Sequence, residues 1–304
     1  MSRVMTAGLV LLVGMAGVAG IASAADAGKL RVVSDQTVTG FNFPESVGCD
    51  PRGKALYVSQ FGGYALKPAE KDGNGRISKL SLDGKLVESR FLPDPGDVLN
   101  KPKGNWIKGN RLWVADIDSV WVFNLKTHQG RKLPIPGIEF ANDVAIMGNA
   151  LYVSDNRADK LFKIEPADFL GVKVKPKITV VFSGKGINPN GVYPAKDGSL
   201  LVVGFKSDKE PKGIYSVSAK GEIKELAKDL GRLDGLYEMK DGTLLVTEWN
   251  SGSLLSWSAK DGKQTLASGF RGPADFCVIP QAKGYLVAVP DLVKSELRLI
   301  QLAR

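Results

Sequence analysis

Six residues recur at corresponding places in a repeated motif: Glu45, Lys103, Asn142, Asn190, Asp234 and Ala274. Two carboxylates and two carboxamides are hard oxygen donors. Brought to one axis, they suit a hard cation such as Ca2+, or another divalent ion, with water completing the shell. Buried without a partner, the same groups would be costly. Each taken singly has a simpler reading as a turn residue, because Asn-Asp, Asn-Gly and Asp-Gly pairs are common in turns. Four copies in register favour the metal-site reading, with Glu45, Asn142, Asn190 and Asp234 as the donors.

The elements that must position these residues follow from the repeat. The motif occupies residues 44–47, 102–105, 141–144, 189–192, 233–236 and 273–276. Each copy leads into an apolar or β-branched run, at 55–59, 111–116, 151–155, 200–204, 244–248 and 285–289. Gly-containing turns such as Gly109-Asn110, Asp197-Gly198 and Asp241-Gly242 separate several of these pairs. The second motif position falls at 45, 103, 142, 190, 234 and 274, so successive units are 58, 39, 48, 44 and 40 residues apart. That is the length of a four-stranded propeller blade, with an insertion in the first unit. The expected fold is all-β, a six-bladed β-propeller forming one domain over residues 25–304. The sixth unit holds about three strands, and the strand-like segment 29–38 is expected to supply its outer strand and remove an exposed edge. In such a ring the innermost strands line a central channel, and the second motif positions form a ring around it. A small-molecule substrate or ligand is expected there.

Composition narrows the function classes. The 304-residue chain carries a formal charge of +9, with 24% charged and 43% hydrophobic residues, as expected for a packed core. Its Lys and Arg residues are scattered, with no basic run and no aromatic-interleaved stripe, so nucleic-acid binding is not expected. Residues 1–24 read as a signal peptide: Arg3, an apolar stretch at 6–21, and Ala22-Ser23-Ala24 as a cleavage site. A bacterial periplasmic or secreted protein is therefore expected, monomeric and free of the membrane after cleavage. Cys49 and Cys277 lie in the first and last units and could be joined by a disulfide or remain two buried thiols. His128, the single histidine, sits in a hairpin-turn context and reads as a surface residue. The insertion at 62–76 lacks the alternating carboxylates of an EF-hand. It reads as a mobile surface loop that could cover one end of the channel.

On these motifs the chain resembles the SMP-30/gluconolactonase-like family of six-bladed propellers, which is related to diisopropylfluorophosphatase, the paraoxonases and strictosidine synthase-like proteins. The resemblance covers essentially all of residues 25–304. It implies a catalytic Ca2+ or other divalent ion held by Glu45, Asn142, Asn190 and Asp234, and a metal-assisted hydrolase acting on a lactone or related ester. It implies Asp234 as general base or nucleophile, with Asn142 and Asp143 toward the substrate. Lys103, which the family pattern does not supply, could pair with Glu45 or Asp234 and compete with the metal, or instead bind a substrate carboxylate or phosphate. Three departures stand against the pattern. Lys103 puts a cation in the ring, Phe140 replaces the Arg common in sugar lactonases, and one histidine cannot form the pair that paraoxonase-type sites use. The alternative is a non-catalytic propeller that binds a small ligand or a protein partner.

Overall fold

The computed structural model describes residues 29–50, 52, 55–173 and 175–304. The expected signal peptide lies outside the described residues. Among the described residues every regular element is a β-strand, and the strands form six four-stranded antiparallel sheets. No helix there is long and apolar enough to cross a membrane.

The sheets are the blades of a six-bladed propeller. Their innermost strands are Pro44–Cys49, Pro102–Lys108, Ala141–Met147, Pro189–Pro194, Leu233–Glu238 and Cys277–Gln281, for blades 1 to 6 respectively. Four blades are uninterrupted runs of four strands, for example Leu233–Glu238, Leu244–Glu248, Ser253–Ser258 and Gly262–Ala267 in blade 5. Blade 1 is built the same way with its insertion between the second and third strands. Blade 6 is completed from the other end of the chain. Arg31–Val38 pairs antiparallel with Glu296–Ala303, from Arg31 opposite Ala303 to Val38 opposite Leu297. Cys49 and Cys277 are joined by a disulfide with their Cα atoms 5.7 Å apart, and Ser46 bridges to Asp275 alongside it. Blades 1 and 6 are thus held together by both a covalent bond and backbone pairing.

The hydrophobic core lies between blades rather than in the channel. Val122, Val144, Leu151, Val153 and Phe162 pack blade 2 on blade 3, and equivalent clusters fill the other junctions. Alternation along the strands gives each sheet two apolar faces, as expected of a sheet covered on both sides.

Two repeated devices shape the channel. First, the innermost strands of blades 1 to 5 break register at the motif: between Pro44 and Ser46, Pro102 and Asn105, Ala141 and Val144, Pro189 and Val192, and Leu233 and Leu236. Such bulges re-aim side chains and end regular pairing. Second, a polar side chain at the end of the second strand gathers backbone amides from the loops. Asp116 accepts from Asn100 and Lys101, and Asp155 from Glu139, Arg157 and Ala158. Glu248 accepts from Arg232, Asn250 and Ser251, and Asp291 from Arg271, Gly272, Val293 and Lys294. These buried acids have their acceptors filled by amides and belong to the scaffold.

The insertion is pinned, not loose as read from the sequence. Lys101, 1% exposed, reaches into it, with its Nζ 2.6 Å from Asp72 and 3.2 Å from the Phe61 carbonyl. The amide of Gly75 donates to Leu99 and that of Gly73 to Asn100. A buried ammonium needs a counter-charge, and the loop supplies it.

Candidate active site

The bulged motifs of blades 1 to 5 bring their second positions to one end of the channel. All five are polar and each is at most 6% exposed: Glu45, Lys103, Asn142, Asn190 and Asp234. The sixth, Ala274, is fully buried against Phe61 and Leu292. The five polar residues line one cavity of about 610 Å³. All four expected metal ligands therefore face the same space.

Three registers of the repeat build the cavity wall. The second motif positions form its floor. Two residues upstream, Phe140, Asn188 and Arg232 line the side. In every blade but the second, the residue just past the second strand also lines it: Phe61, Asn156, Phe205, Trp249 and Leu292. Leu66 and Pro68 of the insertion reach the same cavity, so the loop does cover this end.

Four buried oxygens on this wall have no hydrogen-bond partner: Glu45 Oε2, Asn190 Oδ1, Asn156 Oδ1 and Asn188 Oδ1. Orphaned acceptors at this density require explanation, because each carries a desolvation cost of about 1–3 kcal/mol. The donor chemistry fits a hard cation: a carboxylate and amide oxygens, with Asp234 and Asn142 beside them. Among the described residues no group of three or more His, Cys, Asp or Glu side chains is placed to hold a metal. A cation here would draw half its expected protein donors from amides.

The electrostatics carry the strain of this arrangement. Burial pushes the Glu45 carboxyl well above the usual range, and the charge of Asp234 adds to this while Lys103 opposes it. Burial, then the charge of Asp275, raises Asp234 to about 8 against hydrogen bonds from Trp249 and Asn190. Trp249 Nε1 donates to Asp234 Oδ2 at 2.8 Å. Asn190 Nδ2 also reaches the Leu233 carbonyl at 3.3 Å. Burial lowers Lys103 to about 8, with Glu45 pulling the other way. Lys103 Nζ donates to the Lys101 carbonyl at 3.2 Å and stands 4.1 Å from the centroid of Phe140. Phe140 is thus a ring under a cation.

Asp143 points elsewhere. Its carboxylate accepts from the amides of Val144 (2.6 Å) and Val192 (2.7 Å), and it lines a second cavity of about 360 Å³ nearer the opposite mouth, with Asp275. Gly104 makes room for it: a Cβ at Gly104 would lie 2.1 Å from Asp143 Oδ1. Asp275 is held by the Ser46 hydroxyl at 2.6 Å, and burial raises it to about 7. His128 lies far out on blade 2, with Nδ1 3.0 Å from Asp94.

No protein-family profile and no curated protein matches the sequence. Solved structures do. A gluconolactonase from Xanthomonas campestris is 13% identical, with a TM-score of 0.63 over 92% of this chain and 92% of that one. A protein described as a candidate gluconolactonase is 15% identical, with a TM-score of 0.65 over 91% of this chain and 95% of that one. Virginiamycin B lyase from Staphylococcus aureus, in an inactive form with quinupristin, is 15% identical with a TM-score of 0.58, over 91% of this chain and all of that one. The chain has their fold. At these identities the likeness is one of architecture: the six-bladed propeller expected from the repeat, shared with gluconolactonase structures and with a lyase. The assignment of residues rests on this chain's own geometry.

Proposed function

We propose that the protein is a periplasmic or secreted, divalent-metal-dependent hydrolase of the SMP-30/gluconolactonase-like type, which opens a lactone or related ester in the 610 Å³ cavity. One observation carries this reading: unpartnered oxygens of Glu45 and Asn190 on the floor that Asp234 and Asn142 also line. Glu45, Asn142, Asn190 and Asp234 would hold Ca2+ or another divalent ion. When bound, that ion would polarise the acyl oxygen as a Lewis acid.

The chain's own residues do the rest. Trp249 and Asn190 fix the plane of the Asp234 carboxylate, which takes a proton from water. The water oxygen bonds to the acyl carbon, the acyl–oxygen bond breaks, and the proton passes to the departing alkoxide. The product is the hydroxy acid. Phe205, Trp249 and Leu292 present apolar surface to the body of the substrate, and Leu66 and Pro68 narrow the opening.

Lys103 favours a second reading, a propeller that binds a ligand without turning it over, because a buried ammonium beside Glu45 competes with a metal for the same carboxylate. Calorimetric titration of the protein with Ca2+, with Asp234→Ala as control, separates them. Binding that the substitution abolishes supports the metal site, and equal binding by both proteins removes it. Turnover of a lactone and ester panel that stops on chelation then distinguishes hydrolase from binder.

A further inference from the structure

The cavity lining carries four basic side chains and two acidic ones. It brings Lys103, Arg157, Lys206 and Arg232 to the two carboxylates Glu45 and Asp234. Two of these cations are paired at the rim: Lys206 Nζ lies 2.7 Å from Glu210, and Arg232 Nη1 lies 3.2 Å from Asp208. Even so, Arg232 Nε is buried without a partner. The other two have no carboxylate within ion-pair distance among the described residues.

Lys103 and Arg157 share one platform. Lys103 Nζ stands 4.1 Å, and the Arg157 guanidinium carbon 3.9 Å, from the centroid of Phe140. Arg157 is exposed at the cavity wall, and its side chain donates no hydrogen bond among the described residues. A guanidinium carries five N–H donors in a planar fork that matches a two-oxygen anion. Stacking on Phe140 restricts the fork before any ligand arrives, so less entropy is lost on binding. If a divalent cation took up Glu45 and Asp234, Lys103 and Arg157 would have no counter-charge left in the cavity.

We propose that the ligand of this cavity is an anion, a carboxylate-bearing molecule whose carboxylate is received by Arg157 and Lys103 while its apolar body lies against Phe205, Trp249 and Leu292. The reaction assigned to such a ligand rests on the hydrolase reading; its binding does not. On that reading the substrate class narrows to lactones or esters bearing a free carboxylate away from the acyl carbon.

The experiment is calorimetric titration of the protein with 2-naphthoate and with its neutral counterpart 2-naphthamide, in excess Ca2+ and again in chelator. The carboxylate is expected to bind at least about tenfold more tightly than the amide, the increment of a charge-assisted contact. Arg157→Met, which keeps a long stem over Phe140, should remove most of that preference, and Arg157→Lys should restore only part of it. Equal binding of acid and amide, or an Arg157→Met protein with undiminished preference, overturns the proposal. So does 2-naphthyl phosphate binding more than about tenfold tighter than the carboxylate. A second measurement compares hydrolysis of 5-oxotetrahydrofuran-2-carboxylate with that of γ-valerolactone, in which a methyl replaces the carboxylate. A kcat/KM preference for the former that Arg157→Met erases through KM is the expected result; a preference for the neutral lactone contradicts it. The two readings fail separately. Ca2+ binding without carboxylate preference leaves the hydrolase standing and sinks this inference. Carboxylate preference without Ca2+ binding does the reverse.

Discussion

Trp249 Nε1 donates to Asp234 Oδ2 at 2.8 Å, joining the residue that follows the second strand of blade 5 to the ring position of the same blade. This bond favours the ionised carboxylate and works against the burial that raises Asp234 to about 8. Removing it should make Asp234 harder to ionise. Trp249→Phe is expected to weaken Ca2+ binding at pH 7 several-fold and to recover much of the loss at pH 9, where the carboxylate ionises regardless. Calorimetry at the two pH values checks this. A loss equal at both would mean that the indole acts only by packing.

The raised carboxyls make a signed prediction for the metal-free protein. Asp234 has an ordinary value of 3.8 and a folded value of about 8. Between these the folded chain keeps a proton that the unfolded chain has released, so this group's contribution to stability falls as pH rises through that window. Asp234→Asn has no proton to lose. In chelator its melting temperature should match the wild type near pH 4 and exceed it by a margin that grows up to pH 8. Lys103 has the opposite sign in a different window. Its folded value of about 8 lies below 10.5, so its burial penalty is present below about 8 and relieved as pH rises to 10.5. A wild-type advantage that grows from pH 5 to 8 would contradict the assignment for Asp234.

Gly104 is required by close approach. A Cβ there would lie 2.1 Å from Asp143 Oδ1 and 2.5 Å from Asp143 Cα, and backbone cannot yield cheaply. Gly104→Ala is expected to destabilise by about 2 kcal/mol or more, read from denaturant midpoints. Gly96→Ala, where a Cβ meets nothing within 4 Å, has positive φ and should cost only the smaller backbone term.

Lys101 ties the insertion to blade 2 through Asp72 and the Phe61 carbonyl. Asp72→Asn leaves a buried ammonium without its counter-charge. Limited proteolysis should then cut within residues 62–75 faster than in the wild type, while blade strands remain resistant. An unchanged cleavage rate would show that the backbone bonds of Gly73 and Gly75 hold the loop alone.

The Cys49–Cys277 bond encloses most of the chain, with a separation of 228 residues. Replacing both with Ser is expected to lower stability by about 2–5 kcal/mol, measured by denaturant unfolding. A strong reducing agent should have the same effect on the wild type and none on the variant.

The fold and the ring floor were legible because a repeat aligns itself. Six motifs in register name the innermost strands, and Glu45, Asn142, Asn190 and Asp234 fall at equivalent positions of the repeat. The side walls were harder to read. Asn156, Arg157, Phe205 and Trp249 lie just past the second strands, in loops whose direction depends on how capping residues such as Asp155 and Glu248 gather the backbone. Phe61, Asn156, Phe205, Trp249 and Leu292 are themselves equivalent positions, each one residue beyond a second strand. Asn142 and Asp143 show a different limit. They are neighbours in sequence, yet the bulge between Ala141 and Val144 sends one to the wide cavity and the other to the opposite one. Pattern alone gives no sign of which residue turns which way at a bulge.

The strand Arg31–Val38, laid along Glu296–Ala303, makes the first described element of the chain the finishing piece of its last blade. The ring cannot shut until Glu296–Ala303 is in place, because that strand is the partner of Arg31–Val38. These two strands meet within one sheet, so the circle has no intrinsic starting point. A chain rearranged to begin at a different blade, with Glu296–Ala303 joined to Arg31–Val38 by a short linker, should close into the same ring.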